Sequence, residues 1–255
     1  MAEWHNISRS AAQELIRDGY VQIDGHAVVK PSAEAKGTIS VCMDGGRAFV
    51  GRGGDKLESA LQKFALNIEG CVCLDVGAST GGFTDCMLKR GAAKVYAVEN
   101  GKGQLAKRLL DDTRVVSMED TDIRLASKEW FDEPISFAAV DVSFISLTKV
   151  MPSIIKVLVP EASLICLIKP QYEVGKENLS KRGIVRDAKI RQRAVDDICK
   201  CAEENFELIL NGVIPYLSKT PQRNKNINKN QEFLAYFRKK VNNVEKKNRS
   251  KGMET

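Results

Sequence analysis

Short apolar runs recur along the chain and alternate with stretches whose apolar positions return at helical spacing, the rhythm of a parallel sheet wound with helices. The runs that predict strands are 71–76, 94–98, 114–117, 136–140, 164–168 and 208–214, with a last strand over 231–237. Helices are predicted over 55–66, where Leu57, Ala60, Leu61 and Phe64 share a face, and over 80–89, 102–110 and 187–204. The expected fold is α/β, a Rossmann-like sheet with helices on both faces. Ahead of it, 8–19 reads as a helix capped by Ser8 and ended by Gly19, Asp24-Gly25 reads as a hairpin turn, and 38–41 as one more short strand. The pattern gives a small α+β unit over 1–45, a linker over 46–50, a main domain over 51–240 and a basic tail over 241–255.

The stretch LDVGASTGGFTD passes from an apolar strand through a glycine-rich turn into a helix. Gly77, Ala78, Ser79, Gly81 and Gly82 let a ligand approach the main chain, because glycine has no Cβ in the way. The spacing is G-x-S-x-G-G, a poor fit to the three-glycine dinucleotide fingerprint. Asp75 stands just before the first glycine, where a carboxylate repels a pyrophosphate but can hold an amino group. This favours S-adenosylmethionine over NAD. Glu99 closes the next strand, 24 residues after Asp75, where an acid in a nucleotide-binding βαβ unit accepts ribose hydroxyls.

Ligands of open parallel sheets sit beyond the carboxyl ends of the strands, so Asp75, Glu99 and Asp141 are expected to converge on one crevice. Lys169 ends another apolar run before Pro170 and faces the same crevice. Arg52 and Lys56 flank the start of the 55–66 helix, where a lysine is misplaced against the helix dipole and so serves something other than helix stability. The glycine-containing loop over 171–186 carries Lys181 and Arg182 and is long enough to handle substrate.

RGGDKLESAL, LDVGASTGGFTD, AVDVSFISL, LIKPQYEVG and NQEF stand in this order along most of the chain, and with them the sequence resembles the hemolysin A type of FtsJ-like RNA 2′-O-methyltransferase. The resemblance implies a class I methyltransferase fold, S-adenosylmethionine as cofactor and a ribosomal RNA cytidine as target. It implies Lys56, Asp141, Lys169 and Glu232 as the catalytic tetrad. Lys169 would be central, Asp141 would orient it and touch the cofactor, and Lys56 and Glu232 would position the ribose. It also places Asp122 near the adenine. A ribose hydroxyl holds its proton too tightly to ionise at neutral pH, so Lys169 would either remove the proton or steady the developing alkoxide. SRSAAQELIRDGYVQIDG resembles the RNA-binding domain named after small-subunit ribosomal protein four, with Arg9, Arg17 and Lys30 facing phosphates. Arg52, Lys181 and Arg182 are further RNA-binding candidates. That domain normally opens with an additional helix, which MAEWHNI does not supply, so the expectation is a truncated domain or a misassigned start, with a poorly ordered N-terminal arm as the alternative.

Seven cysteines, an odd number, lie mostly in apolar or helical patterns, as reduced thiols of a cytoplasmic protein do. Neither Cys71-x-Cys73 nor Cys199-x-Cys201 has zinc spacing, and His5 and His26 lie far off, so no metal is expected. No secretory leader is expected, and the most apolar region, 151–168, is broken by Lys156 and Glu161, well short of the ~20 residues a spanning helix needs. The net charge of +6 resides at the end of the chain, where eleven Lys or Arg face three Glu from Ser218 to Thr255, a source of non-specific phosphate attraction. Three rival readings are set against the enzyme, of which a dinucleotide-dependent oxidoreductase is disfavoured by the glycine spacing and by Asp75. Of the other two, one is a membrane-lytic protein, which the family's hemolysin name implies, and one is an RNA-binding ribosome-assembly factor without chemistry.

Overall fold

The computed structural model describes residues 49–216 and 229–241 throughout and, before them, residues 16, 21–24, 26–28, 30, 32 and 36–41. The chain divides into two compact units, Met1–Val50 and Gly51–Thr255. In the first, β1 (Val21–Ile23) lies between β2 (His26–Ala27) and β3 (Ile39–Val41) in an antiparallel sheet. Asp24 turns the hairpin at a φ of 50°, and its carboxylate accepts the Thr38 N–H at 2.9 Å. Most of the expected 8–19 helix, with Arg9 and Arg17, lies outside the described residues, as do segment 44–47 and the tail beyond 241.

The second unit is built on a seven-stranded sheet. Its strands are β4 (Val72–Val76), β5 (Lys94–Val98), β6 (Val115–Met118), β7 (Ile135–Val140), β8 (Leu158–Ile168), β9 (Leu208–Pro215) and β10 (Phe233–Lys239), in the order β6-β5-β4-β7-β8-β10-β9. β10 runs antiparallel to both neighbours, and the pairs from β6 to β8 are parallel. The helices are α1 (Arg52–Lys63), α2 (Gly82–Lys89), α3 (Lys107–Leu110), α4 (Leu147–Val157), α5 (Pro170–Glu173) and α6 (Ala188–Asn205). They lie on both faces, as the sequence predicts.

Strand alternation decides what meets what. Leu74, Val98, Val140, Cys166 and Phe237 join Val150 and Ile154 of α4 and Ile198 of α6 in one buried cluster. The opposite parity, which includes Asp75, Ala139, Leu167 and Leu234, turns toward α1 and α2. One step past the strand ends, this parity carries Glu99, Asp141 and Lys169 to the carboxyl edge. Because β10 runs the other way, its entry residue Glu232 reaches the same edge on the same side.

α1 is brought over that edge by glycine contacts. A Cβ on Gly82 would lie 2.9 Å from the Gly54 nitrogen and 3.2 Å from the Gly53 Cα, and one on Gly53 would lie 3.3 Å from the Phe83 ring. Larger residues would push the two helices apart. The close crossing explains why RGG precedes Asp55 and Lys56.

Three expectations need correction. The helix predicted over 102–110 is regular only from Lys107. Gly103, at a φ of 63°, breaks its first half, and the Glu119 carboxylate instead accepts the N–H groups of Gly103, Gln104 and Leu105 at 2.7–3.0 Å. The strand predicted over 164–168 begins six residues earlier, at Leu158, and the apolar region 151–168 holds most of α4 and then all of β8. α1 starts at Arg52, not Asp55, so Lys56 lies beyond the first turn and its conflict with the helix dipole is weaker than predicted.

Gly82→Val is expected to destabilise the protein by ~1–3 kcal/mol through overpacking at the crossing. Urea titration measures this, and an unchanged midpoint would mean that the helices do not depend on the glycine contact.

Candidate active site

Lys169 follows β8 in extended backbone, and Pro170 begins α5 directly after it, a position where proline's fixed φ suits a helix start. The lysine is only 8% exposed. A buried ammonium requires a partner, and Nζ lies 2.5 Å from Asp141 Oδ1 while donating to Ser143 Oγ at 2.8 Å. The other Asp141 oxygen faces Lys56 Nζ at 3.7 Å, and Lys56 in turn meets Glu232 Oε2 at 2.8 Å. The four expected residues therefore form a row of alternating charge, Lys169–Asp141–Lys56–Glu232, with side chains 10–21% exposed. The Tyr172 and Tyr216 rings lie about 6 Å from Lys169 and Lys56 respectively.

The segments that carry this row are stitched together. The Phe144 and Tyr172 rings are 5.2 Å apart, and the Glu173 carboxylate accepts the first N–H of α4, from Leu147, at 3.0 Å. Burial pushes the Glu173 carboxyl above its ordinary value, and that hydrogen bond opposes the shift. Asn230 donates to the Gly183 carbonyl and accepts the Val185 N–H, both at 2.9 Å, fastening the 171–186 loop just ahead of Glu232. Ser143, Tyr172, Glu173 and Asn230 were not singled out from sequence. All four lie within the motifs AVDVSFISL, LIKPQYEVG and NQEF, but their roles depend on contacts across the fold.

The glycine turn adjoins the row. Gly77 and Gly81 have φ values of 83° and 94°, and Ser79 also lies in the left-handed region at 49°. A Cβ on Gly77 would stand 2.7 Å from the Asp141 carbonyl, and one on Gly81 would run into Leu109 and Leu105. Asp75 is fully buried. Its Oδ2 accepts the Thr84 hydroxyl at 2.6 Å, whereas Oδ1 has no partner. Burial pushes this carboxyl up to about 7; the Thr84 bonds oppose the shift, and Asp141 and Glu99 add to it. Glu99 holds the turn by accepting the Ser79 N–H at 2.9 Å and the Gly101 N–H at 2.8 Å, and each oxygen keeps a second lone pair.

The remaining expected residues stand apart from the row. Asp122 caps a short 3-10 turn and pairs with Arg124 at 2.6 Å, which holds its carboxyl below the usual range. Arg52, Lys181 and Arg182 are exposed, the last two on the turn that Asn230 fastens. Lys30 is exposed in the first unit. Among the described residues, no three His, Cys, Asp or Glu gather as a metal site.

Residues 49–213 match the FtsJ-like methyltransferase family. The chain is 43% identical over 199 residues to the 16S/23S rRNA (cytidine-2′-O)-methyltransferase TlyA of Mycobacterium tuberculosis, a match spanning 77% of this chain and 74% of that one. It is 40% identical over 238 residues to Hemolysin A of Brachyspira hyodysenteriae, spanning 92% of this chain and 96% of that one. A solved structure of a hemolysin-named protein from Streptococcus thermophilus superimposes with a TM-score of 0.73 at 36% identity, over 91% of this chain and 83% of that one.

Asp75 makes stability depend on pH. With its carboxyl raised to about 7 from an ordinary 3.8, the native state keeps a proton that the unfolded chain has released. Its stabilisation is therefore complete below 3.8 and is lost as pH rises through about 7. Urea titrations across this window are expected to show the wild type losing stability relative to Asp75→Asn. Parallel curves would contradict the buried, half-satisfied carboxyl.

Proposed function

The chain belongs to the FtsJ-like methyltransferase family, and from that premise we propose that it transfers a methyl group from S-adenosylmethionine to a ribose 2′-hydroxyl of a cytidine in ribosomal RNA. The observation that carries the proposal is the charge row at the carboxyl edge: two lysines share the Asp141 carboxylate, whose carbonyl packs against the glycine turn. The residues fit the cofactor. The unpartnered Asp75 oxygen suits an ammonium, and the turn from Gly77 through Ala78, Ser79, Gly81 and Gly82 adjoins it, with Ser79 exposed at its tip. The free Glu99 lone pairs suit ribose hydroxyls, and the family resemblance assigns Asp122 to the adenine. The cofactor supplies a methyl group already activated on a sulfonium.

Lys169 is the group placed to act on the substrate oxygen. Two of the three Nζ positions face Asp141 and Ser143, which leaves the third for the substrate oxygen. As that oxygen takes the methyl group and the sulfonium leaves as a neutral thioether, the hydroxyl proton passes to Lys169 as a neutral amine, or to solvent while the ammonium steadies the alkoxide. Asp141 orients that ammonium, and Lys56 with Glu232 positions the ribose. Such an array stabilises charge as it forms and needs no reorganisation at the moment of transfer. The exposed Arg52, Lys181 and Arg182, the N-terminal unit with Arg9, Arg17 and Lys30, and the basic tail serve RNA phosphates. The six cysteines among the described residues are free thiols, which accords with a reducing cytoplasm.

The hemolysin name of some relatives raises a lytic reading. Among the described residues, no helix is long and apolar enough to cross a membrane. A membrane-lytic role also leaves the compensated charge row without a purpose. An assembly factor that only binds RNA would keep the fold but show no turnover.

Lys169→Ala is expected to lower methyl transfer to ribosomal RNA by a factor on the order of a hundred or more, while calorimetric affinity for S-adenosylmethionine stays near wild type. Lys169→Arg rescues poorly, since a planar guanidinium cannot reproduce the ammonium's three-way geometry. Near-full transfer by Lys169→Ala would overturn the assignment, and saturable binding of NAD in place of S-adenosylmethionine would overturn the cofactor.

A further inference from the structure

Two acids at neighbouring strand ends hold one loop from either side. Val98 and Met118 are partners in the parallel pair of β5 and β6, and each strand is followed by a glutamate, Glu99 and Glu119. Glu99 Oε1 accepts the Gly101 N–H at 2.8 Å. Glu119 accepts three consecutive N–H groups: Gly103 at 2.8 Å on Oε2, and Gln104 at 2.7 Å and Leu105 at 3.0 Å on Oε1. These donors favour the ionised carboxylate and hold it below the usual carboxyl range. They belong to no helix, since α3 starts only at Lys107, so the bonds offset the entropy that an ordered loop gives up.

Both ends of this loop meet groups offered to the cofactor. At its start, the Gly101 carbonyl accepts the Asp120 N–H and the Glu99 carbonyl accepts the Thr121 N–H, each at 3.0 Å. At its far end, the Ala106 N–H donates to the Thr80 carbonyl of the glycine turn at 3.2 Å, and Leu105 and Leu109 fill the space that a Cβ on Gly81 would need. Its middle is held by Glu119 and by the Lys102–Asp120 pair, whose side chains are 74% and 63% exposed and whose attraction water weakens. A charged acceptor shared by three backbone donors is the stronger restraint. Gln104 ties the middle back to Glu99. A Cβ on Gly101 would run into Gln104 Nε2 and lie 3.4 Å from Glu99 Oε1, so both side chains lie against one point of the loop. Displacing the Gln104 main chain therefore disturbs the Glu99 carboxylate.

We propose that Glu119 is a positioning residue for S-adenosylmethionine: by holding the N–H groups of 103–105 it fixes the loop, and through the loop it keeps Glu99 turned to receive the cofactor's ribose. The proposal deepens the functional reading above and rests on it. Glu119 acts through Glu99 and takes no part in the transfer itself.

The test is calorimetry of the full-length protein with S-adenosylhomocysteine, which binds without transferring a methyl group. Glu119→Gln keeps the side chain's size but removes its charge and sets an amide NH2 against a backbone N–H. It is expected to weaken S-adenosylhomocysteine about five- to twentyfold, to raise KM for S-adenosylmethionine by a similar factor and to leave kcat and RNA affinity near wild type. In a Glu99→Gln background the same change should cost less than about twofold, because the path to the ligand runs through Glu99. Glu119→Asp, with the charge on a shorter reach, should fall between, and Glu204→Gln, on exposed α6 surface, should bind like wild type. In the unaltered protein, near-saturating S-adenosylhomocysteine should slow amide exchange at Gly103, Gln104 and Leu105 about tenfold or more, since loop order and ligand binding are reciprocal.

The proposal is overturned if Glu119→Gln binds like wild type, if it loses equally in both backgrounds, or if exchange at the three amides ignores the ligand. A lowered urea midpoint with unchanged affinity would make Glu119 a structural residue only and also overturn it. Any of these results in a protein whose wild type binds the cofactor defeats the loop's role alone. A wild type that binds neither S-adenosylmethionine nor S-adenosylhomocysteine defeats the methyltransferase reading.

Discussion

Asp141 is the carboxylate on which the site depends, because each of its oxygens faces a different lysine. Two ammonium groups this close and this poorly solvated would repel each other without it, and burying them unpaired would be costly. Its position is set by the backbone. The Asp141 N–H donates to the Val76 carbonyl at 2.9 Å, and Gly77 allows its carbonyl to approach the cofactor turn. The proposed cofactor seat and the proposed catalytic row are therefore a single rigid edge, with Asp141 as the joint.

Around that joint the fold gathers residues from distant parts of the sequence. Strand parity delivers Asp75, Glu99 and Lys169 to one side of the sheet, and the reversed direction of β10 delivers Glu232 to the same edge. Lys56 arrives from the opposite end of the unit on α1, which the glycine crossing at Gly53, Gly54 and Gly82 holds close. Ser143, Glu173 and Asn230 then fasten the connecting loops. The site is thus mostly carried at strand ends and on a helix, where side chains are positioned more closely than on free loops.

Much of this was legible in the sequence because it is local. The β4 run, the break at Gly77 and the helix behind it predict the turn, and acids at successive strand ends predict the crevice. Where the pattern failed, a long-range contact or a missing period was responsible. Met151 to Ile168 is apolar at so many positions that neither helix nor strand spacing marks the change from α4 to β8. The 102–110 helix was misjudged because Glu119, from a different loop, captures three of its N–H groups. The unpartnered Asp75 oxygen and the Lys169–Ser143 bond follow from packing, which no single stretch encodes. The resemblance named the tetrad, and the structure shows how near its members lie.

The central claim is that the charge row serves transfer to a ribose oxygen of ribosomal RNA. The most direct measurement is to incubate the protein with ribosomal subunits and S-adenosylmethionine carrying a labelled methyl group, digest the RNA to nucleosides and identify the labelled species by mass. The account predicts label in 2′-O-methylcytidine. Label on a base, or none in RNA despite cofactor binding, would contradict it.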